Sequence, residues 1–173
     1  VSVRLPLACA PGRSSLAVLF SHPNFRPVRV AQVIDVIGAS LPTQTLLNTH
    51  WFYHDALCEH YGVEPWSREH WRIAETYLRN AADHGVNTIL TPLFTPPLDT
   101  AVGAERLTTQ LVDVTVVGRN RYTFGFNRLG QWIRLAQRCG ITHFELSHLA
   151  TQWGAKNCPK IMATVKGGRT RRI

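Results

Sequence analysis

Three short apolar runs alternate with two amphipathic stretches between residues 41 and 149, and this alternation is what most narrows the possible folds. The first run lies in "LPTQTLLNTHWFYHD", the second in "VNTILTPLF" and the third in "ITHFELSHL". Between the first two, Ser67 is placed to cap a helix whose stripe is Trp71, Ala74, Leu78 and Ala81/Ala82, and Gly85 is placed to stop it. Between the last two, the spacing predicts a helix over about 127–139, with Asn127 as cap, Leu129, Trp132, Ile133 and Ala136 inward, and Gly140 as stop. Strand, helix, strand, helix, strand is the order of a parallel α/β sheet. "QLVDVTVV" and "RYTFGF" flank "GRN" and read as a hairpin inserted before the second helix.

The third run discriminates between parallel folds. Phe144 and Leu146 share one face and are expected to meet the helices, while His143, Glu145 and Ser147 share the other. An inner strand of a doubly wound sheet is covered by helices on both sides and should be apolar on both. In a (β/α)8 TIM-type barrel one face points inward and can turn polar at the catalytic end. Glu145 therefore favours a barrel. Only about three βα units are present, where closure needs eight, so the expectation is a partial, truncated barrel over residues 41–173. Residues 1–40 alternate weakly, are broken by Pro and Gly, and read as a few short strands of a β-rich unit ending in the linker "GASLP".

Charge sets the partners that can be expected. The formal net charge is +8. Residues 1–34 hold four Arg and no acids, residues 35–115 hold four Arg against ten acids, and residues 116–173 hold eleven Lys and Arg against Glu145 alone. A nucleic-acid groove interleaves basic residues with aromatics, whereas half of the aromatics here sit in the acidic centre. No nucleic-acid partner is therefore expected, and a basic nucleic-acid-binding protein is only a second alternative. No apolar run approaches the roughly 18–20 residues of a membrane span. The opening stretch is too interrupted by Pro6, Pro11, Gly12 and Arg13 for a secretory signal, which leaves localisation open. Cys9, Cys58, Cys139 and Cys158 form no Cys-x-x-Cys pair and read as idle thiols.

Candidate site residues gather after each strand. Pro92, Pro96 and Pro97 end the second strand and stiffen a loop carrying Asp99, Glu105 and Arg106; rigidity suits a ligand-facing loop, although a solvated ion pair would need no ligand. Glu145 and His148 close the third strand, where a carboxylate can serve as acid, base or acceptor for a sugar hydroxyl. "HWFYHD" brings His50, His54 and Asp55 together. In an extended chain the two imidazoles stand about 13 Å apart at roughly 3.3 Å per residue, so no metal site is expected. Trp51 is expected to pack while His54 and Asp55 face the mouth. Trp153 and Lys156 offer an aromatic platform and a cation in a further loop. There is no Gly-x-Ser-x-Gly elbow, Walker loop or Gly-x-Gly-x-x-Gly, and no cofactor is expected.

The blocks "NTHWFYHDALCEHYGVEPWSREHW", "ILTPLFTPPLDTAVGAERLTTQLVDV" and "FELSHLATQWGAKNCPKIMATV" resemble the catalytic domain of glycoside hydrolase family 123, the bacterial β-N-acetylgalactosaminidase-like enzymes. The resemblance covers roughly residues 41–166, and residues 1–40 are similar to the end of the β-sandwich that precedes the barrel. It implies a retaining hydrolase of β-linked N-acetylhexosamine, N-acetylgalactosamine foremost, in which the substrate's own 2-acetamido group is the nucleophile. The family's adjacent Asp-Glu pair has no counterpart here, since the sequence contains no Asp-Glu dipeptide. The resemblance thus makes Asp55, Asp99, Glu105, Glu145, His148, Trp153 and Lys156 substrate-binding residues for an amino-sugar glycan, with His54 added from its place beside Asp55, on a chain expected to be inactive alone. A non-catalytic carbohydrate-binding protein is the first alternative. The basic tail "KGGRTRRI" is expected to leave the family pattern.

Overall fold

The computed structural model describes residues 3, 5, 6, 9–96, 104–150 and 154–173. Asp99 and Trp153, with Pro97, lie outside the described residues. The chain divides into two compact units, Val1–Gln44 and Thr45–Ile173.

In the first unit, β1 (Gly12–His22) and β2 (Phe25–Val36) form one long antiparallel hairpin. Two continuous strands replace the several short ones expected. Pro27 sits in β2, where an edge position tolerates a residue without an N–H donor. Its large side chains stay open, with Phe25 74% and Leu19 64% exposed.

The second unit is mixed α/β. β3 (Thr49–His50), β4 (Thr88–Thr91) and β7 (His143–Leu146) form a parallel sheet in that order. Two crossovers connect them, one through α1 (His54–Tyr61) and α2 (Arg68–Asp83), the other through α3 (Asn127–Arg138). The second crossover also carries the hairpin of β5 (Asp113–Gly118) and β6 (Arg121–Gly125), turned at Asn120 with φ 53°. β5 pairs in parallel with β8 (Met162–Thr164), and β9 (Thr170–Arg172) closes a sheet of order β6-β5-β8-β9. Among the described residues no helix is long and apolar enough to cross a membrane. All four cysteines are free.

The core lies between the helices and the parallel sheet. Ile73, Ala74 and Leu78 of α2 meet Trp132, Leu135 and Ala136 of α3 over Ile89 of β4, with Leu57 of α1 and Ile141 completing the cluster. Ser67 caps α2, its Oγ accepting the His70 N–H at 3.2 Å. Gly85 and Gly140 stop the helices with φ of 85° and 105°, a left-handed backbone that glycine adopts without strain.

Four local expectations are corrected. The first strand is only two residues long, because Asn48 and Asn87 clamp the chain just ahead of it. Asn48 N–H donates to Asn87 Oδ1 at 2.8 Å, and Asn87 Nδ2 donates to Leu46 O at 2.8 Å. Trp51 is half exposed, because the chain enters α1 three residues later and His54 turns into the core in its place. Asn127 is inside α3 rather than its cap; Phe126 precedes the helix, and its first turn is anchored by Leu129 N–H on Leu111 O at 3.1 Å. Leu146 is 56% exposed, since the helices cover the sheet only as far as Phe144.

Candidate functional site

The carboxyl-terminal ends of β3, β4 and β7 are adjacent because the strands are parallel neighbours, so the segments after them share one side of the sheet. After β4 the chain leaves through Pro92, which is fully buried, and its outgoing and returning stems are tied together. Leu111 and Val112 N–H both donate to Leu93 O, at 2.9 and 3.1 Å, and Thr95 Oγ1 donates to Thr108 Oγ1 at 3.2 Å. A proline fixes φ and lacks an N–H, so a strand ending in one cannot extend its pairing and must turn away. The stem of this loop is therefore stiff for a structural reason.

Its return stem carries Arg106 to the end of β3. Arg106 Nε donates to Asp55 Oδ2 at 2.6 Å and Nη2 to Oδ1 at 3.2 Å, the two-pronged geometry that guanidinium and carboxylate share. Asp55 is 1% exposed and the Arg106 side chain 13%. The guanidinium also lies 4.4 Å above the Tyr53 ring. Asp55 was expected at a mouth and Arg106 in a loop 51 residues later; the fold makes them one buried ion pair.

His54 is enclosed completely. Its ring centroid is 4.8 Å from Trp66 and 4.9 Å from Trp132, and neither ring nitrogen has a hydrogen-bond partner among the described residues. Burial, then the charges that His70 and Arg106 would set beside it, push its pKa down to about 3, so the imidazole is neutral. His70 is fixed as one tautomer: its Nδ1 accepts the Trp66 N–H at 2.9 Å, leaving Nε2–H to donate to His54 O at 3.1 Å. Trp66 holds a left-handed backbone at φ 61°, a strained choice for a bulky residue that these contacts sustain. Behind Asp55, burial first and the carboxylate second push the Cys58 thiol up to about 11 and keep it unreactive.

Glu105, beside Arg106, points the other way. It receives Arg172 Nη1 from β9, and Lys160 Nζ stands 3.4 Å from its second oxygen. Desolvation pushes its carboxyl up, but Arg172 and Lys160 together outweigh that and hold it below the usual range. Gln110 fastens the same stem to β8, donating to Met162 O at 2.8 Å and accepting Met162 N–H at 3.0 Å. Glu145, His148 and Lys156 are exposed and form no ion pair with described residues. No group of three or more metal-ligating side chains forms among the described residues.

The structure thus brings Asp55 to Arg106 and seals His54 beneath them. It sends Glu105 to Lys160 and Arg172, and leaves Glu145, His148 and Lys156 facing solvent. His70, Gln110, Lys160 and Arg172 were missed. Only Trp66 and His70, four apart at the start of a capped helix, left a local signal.

Residues 51–173 match the family model described as "Glycoside hydrolase 123, catalytic domain". The match includes the basic tail, which forms β9 rather than leaving the pattern. Comparison with curated proteins returned no match. Ten solved chains are similar in structure. One is a family 123 glycoside hydrolase from Clostridium perfringens, solved to analyse glycolipid glycan hydrolysis. It superposes with a TM-score of 0.71 at 11% identity, over 99% of this chain and 31% of that one. The chain therefore spans about a third of that enzyme's length.

Proposed function

This chain belongs to the glycoside hydrolase 123 family, and from that premise we propose that it forms part of the sugar-binding mouth of a barrel that hydrolyses β-linked N-acetylhexosamine, N-acetylgalactosamine foremost. The observation that carries the reading is the family match across residues 51–173. Three parallel strands lying side by side in chain order and joined through helices support a partial (β/α)8 barrel, and the β1–β2 hairpin is read as the end of a preceding β-sandwich.

In this reading the mouth is lined by Glu145, His148 and Lys156 from the open strand ends; Glu105, already paired with Arg172 and Lys160, and Asp99 and Trp153, outside the described residues, are proposed as further ligands. Solvated carboxylates and an imidazole can accept and donate to sugar hydroxyls, and an indole can cover the apolar face of a pyranose. His54 and Asp55 act from beneath, Asp55 by fixing Arg106 and His54 by filling the aromatic layer under it. Preorganised walls of this kind reduce the ordering cost of binding a flexible glycan.

The reaction is retaining and assisted by the substrate's 2-acetamido oxygen, which attacks the anomeric carbon as the glycosidic oxygen leaves with a proton. An adjacent Asp-Glu pair orients the acetamido group and supplies that proton. No Asp-Glu dipeptide occurs in the sequence, so the proposal places the pair outside residues 1–173.

The test uses the 173-residue chain with 4-nitrophenyl β-N-acetylgalactosaminide and with N-acetylgalactosamine. The expected outcome is no release of nitrophenol, together with weak, saturable sugar binding that Glu145→Gln diminishes. Turnover by this chain would overturn the placement of the pair. Binding of glucose and N-acetylgalactosamine alike would overturn the acetamido specificity.

A further inference from the structure

A second site lies away from the strand ends, in the groove between α2 and α3. The groove has a volume of about 380 Å3 and is lined by Arg68, Trp71, Arg72 and Glu75 on one side and by Gln131, Arg134, Leu135 and Arg138 on the other. Arg68 and Arg72 are one turn apart on α2, as Arg134 and Arg138 are on α3. Like charges at this spacing weaken an isolated helix, so the arrangement is not what helix stability alone would select.

The local acids do not cancel the groove's charge. Glu69 takes Arg72, with contacts of 2.6, 3.0 and 3.1 Å, and Glu75 is turned to Arg79 at 2.6 Å, outside the lining. Arg68, Arg134 and Arg138 form no salt bridge among the described residues, and all three are exposed. Gly130 lies under Arg134, so that a Cβ there would stand 3.2 Å from Nη1. A glycine inside a helix is unfavourable relative to alanine, and here it leaves room for the guanidinium to lie along the helix.

The base of the groove is apolar. Leu135 is buried and Trp71 half-buried, its ring 4.9 Å from Trp66. Three unpaired guanidinium forks around an indole and a leucine match a ligand with planar or tetrahedral oxyanions on a compact ring scaffold. The negative face of an indole attracts the polarised C–H groups of a sugar. Single-stranded nucleic acid binds through several exposed aromatic platforms in series, whereas this groove has one aromatic, already packed on Trp66.

We propose that the α2–α3 groove binds an acidic oligosaccharide, holding its carboxylate or sulfate groups with Arg68, Arg134 and Arg138 against Trp71. The site is distinct from the proposed mouth and stands on its own geometry.

The test is a titration of the full 173-residue chain with a sulfated chondroitin hexasaccharide and with an unsulfated, uronate-bearing hyaluronan hexasaccharide, followed by Trp fluorescence. Chitohexaose and a (dT)6 oligonucleotide serve as comparison ligands. Binding of one or both acidic sugars is expected, and which one binds identifies the anion. Affinity should fall roughly 20- to 40-fold between about 50 and 200 mM salt, as three neutralised anionic groups imply. Arg134→Gln/Arg138→Gln should weaken binding at least tenfold, and Arg68→Gln, on the other helix, should weaken it independently. Arg119→Gln/Arg121→Gln, the same charge change in the β5–β6 hairpin, should leave it unaltered. Equal loss from both double variants would overturn the groove assignment. Equal or tighter binding of (dT)6 would overturn the sugar assignment, and no binding of either acidic sugar would overturn the proposal.

Discussion

The ends of β3 and β7 carry similar residues and have opposite fates. His54 and Asp55 follow β3, and Glu145 and His148 finish β7; each end is an imidazole and a carboxylate within a few residues of a parallel strand. At β3 both side chains are enclosed, the acid by Arg106 and the imidazole by Trp66 and Trp132. At β7 both are open to solvent. The difference comes from what arrives from elsewhere: the return stem of the 92–112 loop and the aromatic layer of α2 and α3 close over β3, and no described element closes over β7. Residue type and strand-end position therefore do not distinguish a wall from a mouth. Long-range cover does.

The largest effect should come from breaking that cover. Asp55→Ala leaves the Arg106 guanidinium enclosed without its counter-charge, and should cost about 3–5 kcal/mol, read from urea unfolding. Asp55→Ala/Arg106→Met should recover much of that loss, because the pair is removed as a unit. If Asp55→Ala costs no more than Glu145→Ala, the two strand ends do not differ as described.

The pH dependence sharpens the same contrast. The folded pKa of His54 lies near 3 against an ordinary 6.5, so between these values the unfolded chain binds a proton that the folded chain refuses. Stability should fall as pH drops through that window, by up to about 1.4 kcal/mol per pH unit for this one group. His70, whose pKa is lowered mainly by burial, acts in the same direction. His54→Leu removes two unpartnered nitrogens from an apolar layer. It should be nearly neutral at pH 7.5 and should reduce the slope of stability against pH by one proton; an unchanged slope would remove His54 as its source.

Ser67→Ala should cost about 1 kcal/mol through loss of the α2 cap, with a thermal midpoint lower by a few degrees. The expected loosening reaches the β3 end, because the capped turn holds Trp66 and His70. Glu145→Gln is expected to have the smallest effect on stability, with no change in midpoint. Its effect should appear only as weaker N-acetylgalactosamine binding, and a lower midpoint with unaltered sugar affinity would reverse the assignment of this end.

Much of the framework was legible because it is local. Ser67 before a helical stripe, glycines at 85 and 140, and "GRN" between alternating runs each fix backbone geometry within a few residues, and the structure has a cap, two stops and a hairpin there. α1 was not legible: eight residues with a weak apolar stripe follow a strand-like run, and only the inward turn of His54 and Leu57 makes it a helix face. The pairing of Asp55 with Arg106 spans 51 residues, and that of Glu105 with Arg172 spans 67. No periodicity encodes such distances.

By itself the sequence determined the alternation of strand and helix from β3 to β7, the parallel sense of that sheet and, through three matching blocks, the family. Those depend on steric and hydrophobic rules that act over one or two turns of chain. Tertiary structure alone decided which strand-end acids are buried pairs and which stay free to meet a ligand. That choice depends on the desolvation of each charge, and desolvation is set by whatever the rest of the fold brings to lie on top of it.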